Sequence, residues 1–391
     1  MIGRDLVAGT RETPSGSACV LGLAMFKAYL AVLSYLLIGS SSAALADALH
    51  DCARPSGDAA IQACDQAIRQ NPRDAVSYAN RGVEYRNKGD LDRALADFTK
   101  AIAIDPKVAG AYNNRGLVLN DKSDPDRAFA DFTKAIEINP KFADAYNNRG
   151  LVFESKGDLG SALADYTKAI EVDPKYVRAY TNRGLVLESK GDLDRAIADY
   201  DKAIELDPKH LLAYYDRGNA WSKKGDLDRA IADYDKAIAI DPKFAVAYNN
   251  RGLVFREKGD IDRALADYSK AIEVDPKHVL AYYNRCWLRA TANRDLPLAL
   301  ADCDAAIRLA PSDPGYLGSR GFVYLRQNRL DEAIADYDAA LKLDPRMAAS
   351  LYGRGLAKQK KGDQAGGDAD IAAAKAINAT IADGFAKYGV N

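Results

Sequence analysis

The chain holds 391 residues, and its 54 basic and 55 acidic side chains leave a formal net charge of −1. That near-cancellation offers no basic stripe for a nucleic-acid backbone and no acidic tail. With His50, His210 and His278 the only histidines, and no H-E-x-x-H, P-loop, nucleophile elbow or cysteine pair at zinc spacing, the residues give no support to catalysis, to a bound metal or cofactor, or to a small-molecule substrate.

Residues 1–24 carry no periodic signal. Met25-Phe26-Lys27 then opens the apolar run AYLAVLSYLLIG, followed by small residues up to Ala44-Leu45-Ala46. A short basic region, an apolar core and a small-residue site read as an export signal cleaved before Asp47, with Met25 rather than Met1 as the start. The rival is an uncleaved anchor over Cys19 to Ile38, where Lys27 would be costly at depth. The expected location is therefore periplasmic or secreted, with membrane attachment only if residues 1–46 stay in place.

Residues 47–74 form a degenerate half-unit. Ala60, Cys64 and Ala67 precede Pro72 at the spacing that Ala196, Tyr200 and Ala203 keep from Pro208. An atypical terminal unit of this kind is expected to cap a repeat array.

From Ala75 onwards the sequence repeats with a period of 34. An Arg-Gly pair recurs at Arg81, Arg115, Arg149, Arg183, Arg217 and Arg251, then as Arg285-Cys286, and after a one-residue slip at Arg320 and Arg354. In one unit, Tyr180, Gly184 and Leu187 share a helical face, as do Ala196, Tyr200 and Ala203. Lys190-Gly191-Asp192 between them supplies a left-handed helix end and an N-cap, and Asp207-Pro208 ends the second helix. Each unit is thus two antiparallel helices that cannot bury their apolar face alone, so the next pair must stack on them. Pro125 and Pro297 sit at the start of second helices, where a missing N–H is harmless. Gly366-Gly367 and Ile371 break the pattern in the ninth unit, which is expected to be frayed, and residues 382–391 are expected to close the array.

Carried by Tyr180, Gly184, Leu187, Ala196, Tyr200, Ala203 and Pro208, this pattern resembles the tetratricopeptide repeat family. Nine units in phase cover residues 75–381. The resemblance implies an all-α fold, a right-handed superhelical solenoid, acting as a non-enzymatic scaffold for an extended peptide or partner protein in its concave groove. An alternative is a membrane-anchored assembly factor for envelope proteins. The family's carboxylate clamp needs Lys and Asn where this chain has Ala79 and Val83, so that mode is not expected.

The first helix of each pair lines the groove in this family. That places the register Asn80, Asn114, Asn148, Asn182, Asn250 and Asn284 towards it, with Asn113, Asn147 and Asn249 as a second row. Amides there could pair with a ligand's main chain, and Tyr215, Tyr283 and Trp287 could anchor side chains. The recurring Arg departs from the family's usual Leu. Its stem can cover apolar surface while its guanidinium reaches a carboxylate such as Asp199. His210 and His278 occupy a slot filled elsewhere by Phe142, Tyr176 and Phe244, and read as packing residues. Four cysteines of the exported chain permit three pairings. Locality favours Cys52 with Cys64 and Cys286 with Cys303, although each can also serve as a small apolar core residue.

Overall fold

The computed structural model describes Cys52 and residues 56–390. The candidate export signal lies outside the described residues. Those residues form helices without strands, in two compact units, one ending at Pro208 and the other beginning at Lys209.

In the first unit, α1 (Asp58–Gln70) precedes four pairs. They are α2 (Ala75–Asn87) with α3 (Leu91–Ile104), α4 (Ala109–Asp121) with α5 (Pro125–Ile138), α6 (Ala143–Ser155) with α7 (Leu159–Val172), and α8 (Val177–Ser189) with α9 (Leu193–Leu206). The second unit holds α10 (Leu211–Lys224), α11 (Leu227–Ile240), α12 (Ala245–Glu257), α13 (Ile261–Val274), α14 (Val279–Thr291) and α15 (Leu296–Leu309). It continues through α16 (Pro314–Arg326), α17 (Leu330–Leu343), α18 (Ala348–Lys360) and α19 (Gln364–Ile377) to a short α20 (Ile381–Lys387).

The turns obey local chemistry. Gly191 takes φ 81°, which a side chain would resist, and the next residue, Asp192, accepts from the backbone N–H of Arg195 to cap α9. Asp207 is extended at the end of α9, as the following proline requires. In the slipped unit the longer turn is built on Asn293 and Asp295, both with positive φ.

Close approach of the two helices sets the core. A Cβ placed on Gly184 would lie 2.6 Å from the Tyr200 ring, and Ala196, Tyr200 and Ala203 are fully buried. Where Gly and aromatic are replaced together, Cys286 and Cys303 are joined by a disulfide. Cys64, in the aromatic slot of α1, is joined to Cys52.

Across the helix pair runs a charged joint. Arg183 donates from Nε and Nη2 to both oxygens of Asp199 at 2.8 and 2.7 Å. The same two-pronged pair recurs in all nine repeats, from Arg81–Asp97 through Arg251–Asp267 and Arg285–Asp302 to Arg354–Asp370.

Two expectations need correction. The ninth unit is not frayed: α19 is a full 14-residue helix capped by Asp363. A Cβ on Gly367 would meet the Gly355 carbonyl at 2.7 Å, so the second glycine permits a tighter backbone approach where the aromatic is missing. His210 does more than pack, because its Nδ1 accepts from the Ala213 N–H and caps α10. Beyond α19, Phe385 of α20 stacks against Phe322 and Tyr352 at 5.6 and 4.8 Å.

Adding one methyl at the tight contact tests this packing. Gly184→Ala should lower stability by about 1 to 3 kcal/mol through overpacking. Tyr200→Leu beside it should relieve part of that loss, so the two changes together do less harm than the sum. Urea unfolding of the single and double variants measures both.

Candidate protein-interaction face

Each first helix is 13 or 14 residues long and carries one recurring stripe whose first turn is open and whose last turn meets its own second helix. In α12 the stripe is Val246, Asn249, Leu253 and Arg256, at steps of three, four and three, which keeps them within about 80° of arc. Equivalent stripes are Arg178, Thr181, Leu185 and Glu188 on α8, and Leu280, Tyr283, Trp287 and Ala290 on α14.

The asparagines sit at this stripe but are not solvated. Asn113, Asn147 and Asn249 are at most 2% exposed, and Asn114, Asn148 and Asn284 at most 8%. Asn80, Asn182 and Asn250 are half-buried. Apart from Asn80 and Asn114, their amides bond to one another. Asn148 Nδ2 donates to Asn113 Oδ1, Asn182 to Asn147 and Asn284 to Asn249, each at 2.9 Å and 35 residues apart. Asn249 in turn donates to Asn250, which donates to the Tyr215 hydroxyl and to Asn219. An amide both donates and accepts, so it can pass a hydrogen bond from repeat to repeat. The amides are less open than expected: in the pairs Asn113–Asn148, Asn147–Asn182 and Asn249–Asn284 stacking of the next repeat buries the acceptor and joins the two side chains.

The expected aromatic anchors are also engaged within the chain. Tyr215 packs against Phe244 and Tyr234, Tyr283 against Tyr316, and Trp287 against Phe322 and Tyr388. All three remain half-buried.

Besides Arg178, what the stripe leaves open is mostly apolar. Of the nine large apolar residues that are exposed among the described residues, five lie on it: Val76 and Leu151 in the first unit, Leu212, Val246 and Leu280 in the second. Sequence reasoning passed over them because aliphatic residues in an amphipathic helix read as core. Their 34-residue recurrence as Leu212, Val246 and Leu280 was the available signal. The second-turn slot below them is polar, with Glu154 and Glu188 accepting from the buried Tyr166 and Tyr200 hydroxyls at 2.9 Å. Burial is the main force pushing the Tyr166 phenol up, and the Glu154 charge adds to it.

Among the described residues there is no cluster of His, Cys, Asp or Glu that could hold a metal, and no helix long and apolar enough to cross a membrane.

Stacked helix pairs with one repeated inner stripe define an all-α repeat solenoid. Family profiles described as tetratricopeptide repeat match residues 147–210 and 181–243, and 75–108, 109–142 and 245–278; one described as TPR repeat matches 321–362. Together they cover more than half of the chain, which belongs to the tetratricopeptide repeat family and so to a class of protein-interaction scaffolds. A search of curated protein sequences finds no match.

Among solved structures, the Cut9–Hcn1 hetero-tetramer of the APC/C is similar in fold, with TM-score 0.52 at 17% identity over 80% of this chain and 62% of that one. YrrB, a TPR protein described as having an unusual peptide-binding site, is 30% identical over 48% of this chain and 96% of its own, with TM-score 0.39. Yeast Tom70 is 19% identical over 85% and 91%, with TM-score 0.44.

If the asparagines hold repeats together, their loss should be felt in folding. Asn148→Ala with Asn182→Ala leaves Asn113 and Asn147 without donors. Each change should lower stability by about 1 to 3 kcal/mol, since it strands a buried acceptor. Urea unfolding reads this directly; an unchanged midpoint would mean the amides are dispensable.

Proposed function

We propose that the protein binds an extended segment of a partner protein along the stripe of its first helices, in an exported compartment. The observation that carries the binding reading is the concentration of exposed Val and Leu on that stripe. An exposed apolar row rimmed by polar residues is the usual mark of a protein-binding surface. The asparagine network beneath it supports this use, because a floor whose polar atoms are already paired holds the row rigid without competing for the partner. The aromatic edges of Tyr215, Tyr283 and Trp287 flank the row and add contact area to it.

The compartment reading rests on the disulfides Cys52–Cys64 and Cys286–Cys303, which persist where the surroundings are oxidising. It agrees with the export signal read in residues 25–46, and protein extracted from cells should begin at Asp47. An intact N-terminal apolar run would instead make it a membrane-anchored factor for envelope partners.

Selection of a phage library of twelve-residue peptides on the purified protein tests the binding reading. Wild type should enrich a family of peptides. Leu212→Asp, Val246→Asp and Leu280→Asp together should abolish the enrichment while the melting curve stays in place, since all three side chains are solvated. Leu309→Asp with Leu343→Asp, exposed apolar residues on second helices, should leave it unchanged. Enrichment that survives the stripe variant would move the binding face elsewhere.

A further inference from the structure

One position on the stripe is chemically incomplete. In the repeats of Tyr166 and Tyr200, the buried hydroxyl donates to a Glu twelve residues earlier, at 2.9 Å. In the repeat of Tyr234 the hydroxyl donates to Asn219 at 2.7 Å. Tyr268 is fully buried like these, yet among the described residues nothing accepts from its hydroxyl. The residue twelve positions earlier is Arg256, where Glu154 and Glu188 stand in the repeats of Tyr166 and Tyr200.

Arginine has five donors and no acceptor, so it cannot take the tyrosine's proton. Arg256 is itself half-buried and ion-pairs with no carboxylate among the described residues. Its charge is felt at two phenols, one on its own second helix and one on the stripe of the next repeat. Burial pushes the Tyr268 and Tyr283 phenols up, and Arg256 pulls each partly back. Two donors thus share one place with no acceptor between them. Tyr337 shows that an orphaned hydroxyl alone does not make such a place: Leu325 stands twelve residues earlier, so no charge is present beside it.

We infer that Arg256 and the Tyr268 hydroxyl receive the carboxylate of an Asp or Glu side chain in the bound segment, an inference that rests on the binding reading above. The acceptor that Glu154 and Glu188 supply from within the chain would here come from the partner. Charge selects an anion, and a planar guanidinium beside a hydroxyl suits a carboxylate. Position selects a side chain over a chain end. Arg256 shares its stripe with exposed Val246, and the preceding and following repeats present exposed Leu212 and Leu280. A segment lying on this row continues past Arg256 on both sides, so its acid is internal and its neighbours are apolar. The open pair also has a stability consequence, because a buried donor is left waiting in the unbound protein.

The test uses the same twelve-residue phage library on wild type and on Arg256→Glu, Arg256→Gln and Tyr268→Phe, together with melting curves. Wild type should enrich peptides with an internal Asp or Glu between apolar residues. Synthetic copies of the enriched peptides should bind equally with free and amidated C-termini. Arg256→Gln should weaken them by about tenfold to a hundredfold, and Tyr268→Phe by less, as expected for a hydrogen bond to a charged group. Arg256→Glu should abolish acidic selection and raise the melting temperature, since a carboxylate at that position would restore the pair seen at Tyr166 and Tyr200. Enriched peptides without an acid, or affinity lost on amidation, would overturn this inference and leave the binding reading standing. No enrichment at all would overturn both. A lower melting temperature for Arg256→Glu would contradict the missing acceptor itself.

Discussion

The arginine of each repeat is the joint on which the rest depends. Its guanidinium is divided between two tasks. Nε and Nη2 clamp the aspartate on its own second helix, and in most repeats, though not at Arg115, Nη1 reaches back to the second helix of the repeat before: Arg149 to Thr133, Arg183 to Thr167, Arg285 to Ser269, Arg320 to Asp304, and Arg251 to Asp235. One side chain therefore fixes both the angle within a pair and the spacing between pairs. The aspartates are largely buried, 9% exposed for Asp199 and 8% for Asp267. A buried pair contributes modestly when intact, but removing one partner leaves an uncompensated charge and costs about 3 to 5 kcal/mol. Lysine could not substitute, since it has no planar fork to divide between two acceptors.

With that joint in place, the remaining polar groups of the first helix are free to line up. The asparagines form a second seam between neighbouring repeats, and the phenols of Tyr166 and Tyr200 close onto Glu154 and Glu188. These seams are satisfied internally, which matters for function in a negative way: groups already paired are poor at recognising a partner. In the binding reading proposed above, recognition falls to what the seams do not cover, namely exposed aliphatic residues and Arg256.

Much of this was legible in the residues. The period of 34, the Gly191-Asp192 turn and the reach of Arg183 to Asp199 follow from local chemistry repeated many times. Within one pair, a separation of 16 residues, or 17 in the slipped unit, brings the same two faces together. The fate of the asparagines was not legible, because it depends on contact across 35 residues with the next repeat. Sequence alone places Asn148 on the inner stripe, but only the stacked neighbour decides whether its amide meets solvent or Asn113. The ninth unit misled for a related reason. Gly366-Gly367 reads as helix-weakening when taken alone, whereas against Gly355 the second glycine is what lets α18 and α19 approach. The orphaned Tyr268 hydroxyl could be suspected from the exchange of Glu for Arg256, once the Tyr200–Glu188 bond was known.

Native-state hydrogen exchange of wild type and Arg251→Leu tests the role of the joint most directly. The account predicts lost protection in two places at once: α13, which carries Asp267, and α11 of the preceding repeat, which carries Asp235. Helices α17 and α18, further along, should keep theirs. Loss confined to α13, or protection lowered evenly across the unit, would contradict a side chain that couples neighbouring repeats.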